Sequence, residues 1–106
     1  MPYIAREHRP KLDSLIEALA DAVAAVAKET ANDKGDATAY AGLLNYTLTR
    51  VTMLVVAQCC GPIRYATIAT VSGVLKNVND EFYRRVAAPY EDKQIAKNGD
   101  VPEYAP

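Results

Sequence analysis

Apolar residues recur every three or four positions in the first third of the chain. Between Lys11 and Thr30 the large apolar residues are Leu12, Leu15, Ile16, Leu19, Val23 and Val26. This spacing predicts an amphipathic helix, because positions three and four apart share one face of a helix. The alanines between them allow a second helix to pack closely. Gly35 interrupts the pattern, and we expect Asp36 to cap the next helix.

A second helix is predicted over about 37–59, and it is unusually poor in charge. Arg50 is its only charged residue, and no acidic residue occurs between Ala37 and Asn79. The side opposite its wide apolar face carries small or weakly polar residues, namely Asn45, Thr49, Thr52 and Val56. A helix of this kind is usually covered on most sides. In so short a chain we expect the cover to include a second copy, and we predict a homodimer that uses the second and third helices.

A third long helix follows a turn at Gly61-Pro62. The β-branched residues of "IRYATIATV" also suit a short strand over 63–67, but we predict Thr67 as the N-cap of a helix. The apolar positions after it step by three and four residues: Ile68, Val71, Leu75, Val78, Phe82 and Val86. This narrow seam is typical of helix-on-helix packing. Gly73 lies within the helix, which indicates a close backbone contact there.

The sequence predicts a short fourth helix and a tail at the end of the chain. Pro89 is predicted to end the third helix and to begin the fourth, and Asn98-Gly99 closes it. The fold class is therefore all-α, with three main helices and a short C-terminal helix in a small bundle. The predicted organisation is an N-terminal arm at 1–10, a single helical domain at 11–99 and a C-terminal tail at 100–106.

Composition and charge limit the classes of function that this chain can have. Half of the 106 residues are apolar, and 12 basic against 13 acidic residues give a formal charge of −1. This balance argues against a protein that binds nucleic acid mainly by nonspecific phosphate attraction. The charged start of the chain does not resemble a signal peptide, and the most apolar run, Met53–Ala57, is too short to span a bilayer. We expect a soluble cytoplasmic protein without a membrane partner.

Residues for catalysis or metal binding are few. His8 is the only histidine, and Cys59 and Cys60 are adjacent, so we interpret the cysteines as small buried residues at a helix end. Some helical enzymes hold magnesium with acidic residues on facing helices, and they need more such residues than this chain offers. The acids available here are Glu17, Asp21, Asp80 and Glu81. We predict no catalytic residue, metal or cofactor, and a small nucleotide-processing enzyme is a disfavoured alternative.

Arg50 is one candidate binding residue. It lies near Tyr46 on the same edge of the second helix, and a half-buried arginine needs a carboxylate. We expect an ion pair with an acid of another element, while an anionic ligand is the alternative. The candidate acids are Asp80, Glu81, Glu91 and Asp92.

The end of the third helix holds further candidates. Asp80 precedes Arg84 by four residues and Glu81 precedes Arg85 by four, which predicts two favourable ion pairs. Arg84 faces away from the seam and is predicted to be solvated, whereas Arg85 lies at its edge, within reach of a neighbouring helix or partner chain. Tyrosines suit interfaces because they are rigid and amphipathic. The complete candidate set for binding or an interface is Tyr46, Arg50, Tyr65, Tyr83, Arg85 and Tyr90.

Three segments carry a resemblance to a known family: "LNYTLTRV" (44–51), "RYATIATVSGVL" (64–75) and above all "EFYRRVAAPYEDKQIAKNGDV" (81–101). They resemble a small family of phages and bacteria, a domain of unknown function, with an "EFYRRVxAPYEDxxIxxNGDV" end. The resemblance covers about the last 60 residues and not the N-terminal helix. It implies a small, mostly helical protein of phage or mobile-element origin, and it assigns no functional residue.

The function predicted from these observations is a noncatalytic helical interaction module, a phage-type accessory protein acting as a homodimer. The alternative is a nucleic-acid-binding protein that uses Arg50, Arg64, Lys76, Arg84 and Arg85. That alternative needs these side chains on one face, but a helix turns about 100° per residue and separates Arg84 from Arg85 by that angle.

Overall fold

Six helical segments make up the structure, a computed structural model that describes residues 2–105. They are a 3-10 helix at Arg6–His8, α1 at Pro10–Lys34, α2 at Ala39–Cys60, α3 at Tyr65–Phe82, a π-helical turn at Tyr83–Ala87 and α4 at Ala88–Asn98. No strand occurs within the described residues. The predicted all-α class, with three main helices and a short C-terminal one, is confirmed.

The predicted N-terminal arm contains a turn of 3-10 helix rather than extended chain alone. The Arg9 guanidinium donates two hydrogen bonds, of 3.2 and 3.0 Å, to the Ile4 carbonyl and so ties this turn to the start of α1. Pro10 then occupies the first position of α1, where its missing N–H is not needed. The first residue of the predicted arm and the last residue of the predicted tail lie outside the described part of the chain.

A four-residue connection joins α1 to α2. Gly35 ends α1 with φ 65°, a left-handed conformation that glycine adopts without strain. The Asp36 carboxylate then accepts hydrogen bonds from the hydroxyl (2.8 Å) and the backbone N–H (3.0 Å) of Thr38, immediately before α2. These two bonds lower the pKa of Asp36. The predicted break at Gly35 is confirmed. The predicted capping role of Asp36 is wrong, because the N-cap of α2 is Thr38 and no side chain caps the first turn; Asp36 instead stabilises the turn before the helix.

Helices α1 and α2 pack as a hairpin within residues 4–63, which form one compact unit. Near the connection the half-buried positions are mostly small or β-branched: Val23, Ala27, Thr30 and Ala31 of α1, and Ala39, Leu43, Thr47 and Thr52 of α2. Small side chains let the two helix backbones approach closely, as the alanines of α1 predict. Val56, with 7% of its surface exposed, is the only buried apolar side chain among residues 2–105.

The remaining described residues form a second unit, built on α3, the π-helical turn and α4. Helix α3 begins at Tyr65, so Thr67 is not its N-cap and 63–67 is not a strand. The N-cap is Arg64, whose extended backbone precedes the helix, and its N–H donates to the Thr67 hydroxyl at 3.5 Å. Thr67 therefore supports the start of α3 from inside the first turn.

Pro89 does not break the helix in the way the sequence predicts. The chain passes from α3 into α4 through the π-helical turn, and the Ala88 N–H bonds to the Tyr83 carbonyl five residues earlier. Proline lacks an N–H and crowds the carbonyl four residues before it, so a regular α-helix is disfavoured at this point. The wider π turn accommodates the proline. Gly99, with φ 86°, ends α4 where predicted, and its N–H bonds to the Ile95 carbonyl.

Two further expectations are corrected by the structure. Cys59 and Cys60 are exposed, not buried, because they lie in the last turn of α2, where their unit provides no cover. A Cβ added at Gly73 meets nothing within 4 Å, so the described residues make no close backbone contact there.

Helix α2 as a whole, with 22 residues, is long and apolar enough to cross a bilayer by length and composition, although Met53–Ala57 alone is not.

Candidate functional site

Polar contacts concentrate around the π-helical turn. The Glu81 carboxylate accepts two hydrogen bonds from Arg84, one from Nε at 2.9 Å and one from an Nη at 3.1 Å. It also accepts a 2.6 Å hydrogen bond from the hydroxyl of Tyr3, which is 78 residues away in sequence. This two-pronged arginine contact with an added phenol fixes the carboxylate in one orientation.

These contacts hold Glu81 in its charged form. The pKa of Glu81 falls from 4.5 to about 2, first because Arg84 donates to it and then because Tyr3 does. The same pairing raises the pKa of Arg84. A carboxylate kept free of its proton in this way serves as a hydrogen-bond acceptor and is a poor general acid. The Tyr3–Glu81–Arg84 network therefore acts as a structural clamp on the end of α3.

Tyr83 spans the π-helical turn in the other direction. Its hydroxyl donates to the Glu91 carboxylate of α4 at 3.2 Å. The negative charge of Glu91 and this hydrogen bond raise the pKa of the Tyr83 phenol, with a smaller contribution from Asp92. Tyr83 and Glu91 thus connect the two sides of the turn, and together with the Glu81 clamp they stabilise it.

The ion pairs in this region differ from those predicted. Arg84 pairs with Glu81, three residues earlier, and not with Asp80, which instead pairs with Lys76 at 3.3 Å. Four-residue spacing holds only for a regular helix, and the chain widens into the π turn just past Glu81. Arg85 makes no ion pair within residues 2–105, although its charge contributes weakly to lowering the pKa of Glu81. The exposure predicted for Arg84 is confirmed.

Arg50 has a partner on its own helix. Its guanidinium donates to the Tyr46 hydroxyl at 3.1 Å and lies 5.9 Å from the centre of that ring. Within residues 4–63 no carboxylate lies within ion-pair distance of Arg50. The acids considered as partners all belong to the second unit, so the ion pair across elements stays a prediction. The contact with Tyr46 satisfies one donor of the guanidinium without any acid.

The six candidate residues predicted from the sequence fall into separate groups. Tyr46 and Arg50 contact each other on α2, Tyr83 contacts Glu91 across the turn, and Arg85 lies in the same turn. Tyr65, at 85% exposure, and Tyr90, at 63%, present most of their surface to solvent. Their role as interface residues stays a prediction. Tyr3 was missed, because a contact over 78 residues leaves no periodic signal near the N-terminus.

The acidic residues considered for a metal site do not form one cluster in the described part of the chain. Within residues 2–105 no three His, Cys, Asp or Glu side chains are grouped so as to hold a metal ion. Asp80 and Glu81, two of the four acids of the disfavoured magnesium site, are already engaged by Lys76 and Arg84. Many large apolar side chains and tyrosines of the described helices are exposed, among them Tyr46, Tyr65 and Phe82.

The comparison with known proteins identifies the family of the chain and no function. A family profile described as a domain of unknown function, DUF6899, matches residues 1–101, and the chain therefore belongs to this family. The match includes the N-terminal helix, which is not part of the resemblance described in the sequence analysis. No curated protein and no solved structure matches the chain.

Proposed function

We propose that this protein is a noncatalytic helical interaction module that functions as a homodimer. The observation that carries the proposal is the lack of a buried core within either unit. Among the described residues only Val56, in the unit of residues 4–63, is a buried apolar side chain. A domain with so small a core needs a partner to offset the loss of chain entropy on folding.

A second copy of the same chain is the partner that we propose. The interfaces of obligate homodimers resemble a domain core cut in half, and a core is what each unit lacks. Closed two-fold dimers are also the commonest assembly of identical chains.

Helix α2 is suited to being covered. The hydroxyls of Thr47 and Thr49 donate to the carbonyls four residues earlier at 2.8 Å, and the Gln58 amide donates to Leu54 at 3.1 Å. Polar side chains that satisfy their donors within the helix can be buried at a low desolvation penalty. Arg50 is likewise bonded to Tyr46. These contacts support a dimer that uses α2 together with α3.

The experiment is sedimentation equilibrium of the full chain at micromolar concentration. We expect twice the chain mass of 11.5 kDa. We also expect helix content and dimer mass to be lost together on dilution, because neither unit has a core of its own. A folded species of 11.5 kDa with a cooperative unfolding transition would contradict the proposal.

A cytoplasmic location and a phage-type accessory role belong to the same proposal. Arg50 stands near the middle of α2, and a charged residue at the centre of a bilayer is costly, so we place α2 against protein and not lipid. Recovery of the protein in the soluble fraction without detergent would support this. The phage-type role rests on the resemblance of residues 81–101.

Nucleic-acid binding receives less support. Of the five basic residues that it requires, Lys76 and Arg84 are paired with acids and Arg50 bonds to Tyr46. Only Arg64 and Arg85 make no such contact within residues 2–105. A gel-shift titration over a salt series tests this alternative, since phosphate contacts weaken steeply with salt. We expect no shift at 150 mM salt.

A further inference from the structure

Two thiols lie next to each other at the end of α2. Cys59 and Cys60 are the last two residues of this helix, and both are free and exposed, so neither contributes to a core. Residues 57–66 around them are exposed as well. A cysteine without a packing role is defined by its chemistry, because its thiolate is a nucleophile and a metal ligand. The pair is therefore open to a small ligand from solvent.

The helix keeps the two thiols from closing on each other. The Cα atoms of adjacent residues lie about 3.8 Å apart across a trans peptide bond, whereas disulfides usually require about 4.4–6.8 Å. The side chains of adjacent helical residues also diverge by about 100°. A disulfide between Cys59 and Cys60 would therefore require the last turn of α2 to unwind. A bridging atom removes this conflict, because it lets the two sulfurs stay further apart than a direct bond does.

Thiolate sulfur is the only anionic donor that this part of the chain offers to a metal ion. Residues 37–79 contain no aspartate, glutamate or histidine. Within the described part of the chain no third His, Cys, Asp or Glu joins the pair. Structural zinc takes four ligands, iron–sulfur clusters take four cysteines, and magnesium and calcium take oxygen. Two thiolates instead suit Cu(I), a soft cation that accepts two sulfur ligands.

The backbone fixes the spacing of the pair. Gly61, with φ 64° and ψ −138°, ends α2 directly after Cys60, and this conformation favours glycine. Pro62 then prevents the helix from continuing. Both cysteines keep helical backbone geometry up to this point, so a ligand has to order only their side-chain torsions. Such preorganisation lowers the entropy cost of binding.

We propose that Cys59 and Cys60 together chelate one soft monovalent cation, Cu(I), per chain. On binding, each thiol releases its proton to solvent and each sulfur donates an electron pair to the metal, so that two S–H bonds are replaced by two S–Cu bonds. No electron is transferred, and neither sulfur is oxidised. This inference goes beyond the proposed function and does not depend on it, because one chain supplies both ligands.

The charge of the product fits its surroundings. Two thiolates and one monovalent cation leave a single negative charge at a pair that was neutral before binding. No acidic residue occurs among residues 37–79, so no neighbouring carboxylate in the sequence repels this charge. Arg64 is the charged residue nearest in sequence, and it makes no ion pair within residues 2–105.

The test is an anaerobic titration of the full chain with Cu(I), in competition with a chromophoric Cu(I) chelator. Cys59→Ser and Cys60→Ser each remove one ligand. Ala57→Ser is the matched control, because it adds the same hydroxyl at an exposed position of the same turn and keeps both thiols. Circular dichroism of each variant checks that the helices are retained, and X-ray absorption spectroscopy counts the sulfur neighbours of bound copper.

We expect one Cu(I) per chain with two sulfur neighbours. Each cysteine variant should bind more than about 100-fold more weakly, since loss of even an outer-shell partner of a metal ligand costs about 10–100-fold in affinity. The control should bind as the wild type does. In the wild type, bound Cu(I) should also protect both thiols from alkylation by iodoacetamide, which gives a readout that requires no variant.

Three outcomes would reject the site. Cysteine variants that bind as tightly as the wild type would show that each thiol binds copper alone. Three or more sulfur neighbours per copper would show that two copies share the metal, so that one chain does not form the site. Alkylation at the same rate with and without Cu(I) would show that the pair does not hold the metal. Each of these outcomes leaves the chain mass without copper unchanged, and that mass tests the proposed function separately.

Discussion

Glu81 is the side chain most strongly fixed by its neighbours. Its pKa of about 2 in the folded protein lies below its ordinary value of 4.5. The unfolded chain therefore takes up this proton first as the pH falls. Stability from the clamp is fully present above pH 4.5 and is lost as the pH falls from about 4.5 towards 2.

The pH dependence predicts a specific difference between variants. We expect Glu81→Gln to have a lower urea midpoint than the wild type at pH 7. This difference between the two midpoints should become smaller at pH 3, because Glu81 is then protonated in the unfolded wild type. Glu103→Gln, in the exposed C-terminal segment, is the matched control and should leave both midpoints unchanged. A gap of constant size from pH 7 to pH 3 would show that Glu81 is not held charged by its partners.

The two donors to Glu81 should have unequal effects. Arg84 is the larger cause of the lowered pKa and Tyr3 the smaller. We expect Arg84→Gln to raise the pKa of Glu81 towards 4.5 by more than Tyr3→Phe does, measured by NMR titration of the carboxyl carbon. An unchanged pKa in Tyr3→Phe would mean that the N-terminal residues do not contact α3 in solution.

At the scale of the elements, the structure differs most from the sequence prediction at the π-helical turn. Apolar spacing predicts α1 and α2 with bounds close to those observed, because each has a periodic face and a glycine or proline near its ends. The third helix is predicted to end at Pro89, whereas α3 ends at Phe82, where the π-helical turn begins. Pro89 was interpreted as a break, since proline removes a backbone donor. The hydrogen bond from the Ala88 N–H to the Tyr83 carbonyl lets the helix continue through a wider turn. Sequence periodicity does not distinguish a helix break from such a widened turn.

The same widening explains why the site could be predicted only in part. The acids and arginines of residues 80–85 were recognised as partners, but the four-residue pairing assumed a regular helix. The Tyr46–Arg50 contact followed correctly from helical spacing, because α2 is regular throughout. Tyr3 could not be found, since nothing in a short non-helical segment indicates which distant carboxylate it will meet.

Substitution of Pro89 tests the origin of the π-helical turn. In Pro89→Ala the backbone donor returns, and a regular α-helix becomes possible across residues 83–89. We expect the Tyr83–Glu91 contact to loosen and the pKa of the Tyr83 phenol to fall back towards 10.0, as measured by ultraviolet absorbance titration. Glu91→Gln is the matched control, because it removes the charge that raises the pKa of Tyr83 without changing the backbone. A raised pKa that survives in Pro89→Ala would show that the turn does not depend on the proline.

Substitution by alanine should have opposite effects on stability at two of the glycines. At Gly73 a Cβ meets nothing within 4 Å, so Gly73→Ala should raise the free energy of unfolding by about 1 kcal/mol through helix propensity. Gly35→Ala should lower it by about 1–2 kcal/mol, because φ is 65° there. Urea denaturation measures both. A loss of stability in Gly73→Ala would instead indicate a partner's backbone packed against that position.

For the whole molecule, the decisive quantity is the concentration dependence of its stability. If folding and association are one event, a tenfold rise in protein concentration stabilises the dimer by about 1.4 kcal/mol. For a dimer of this size that shift corresponds to a rise in Tm of roughly 3–6 °C. Differential scanning calorimetry between micromolar and hundred-micromolar chain concentrations measures it directly. The Asn77→Lys variant, altered on the polar side of α3 opposite its apolar residues, should show the same slope as the wild type. A Tm independent of concentration would mean that each chain completes its own core.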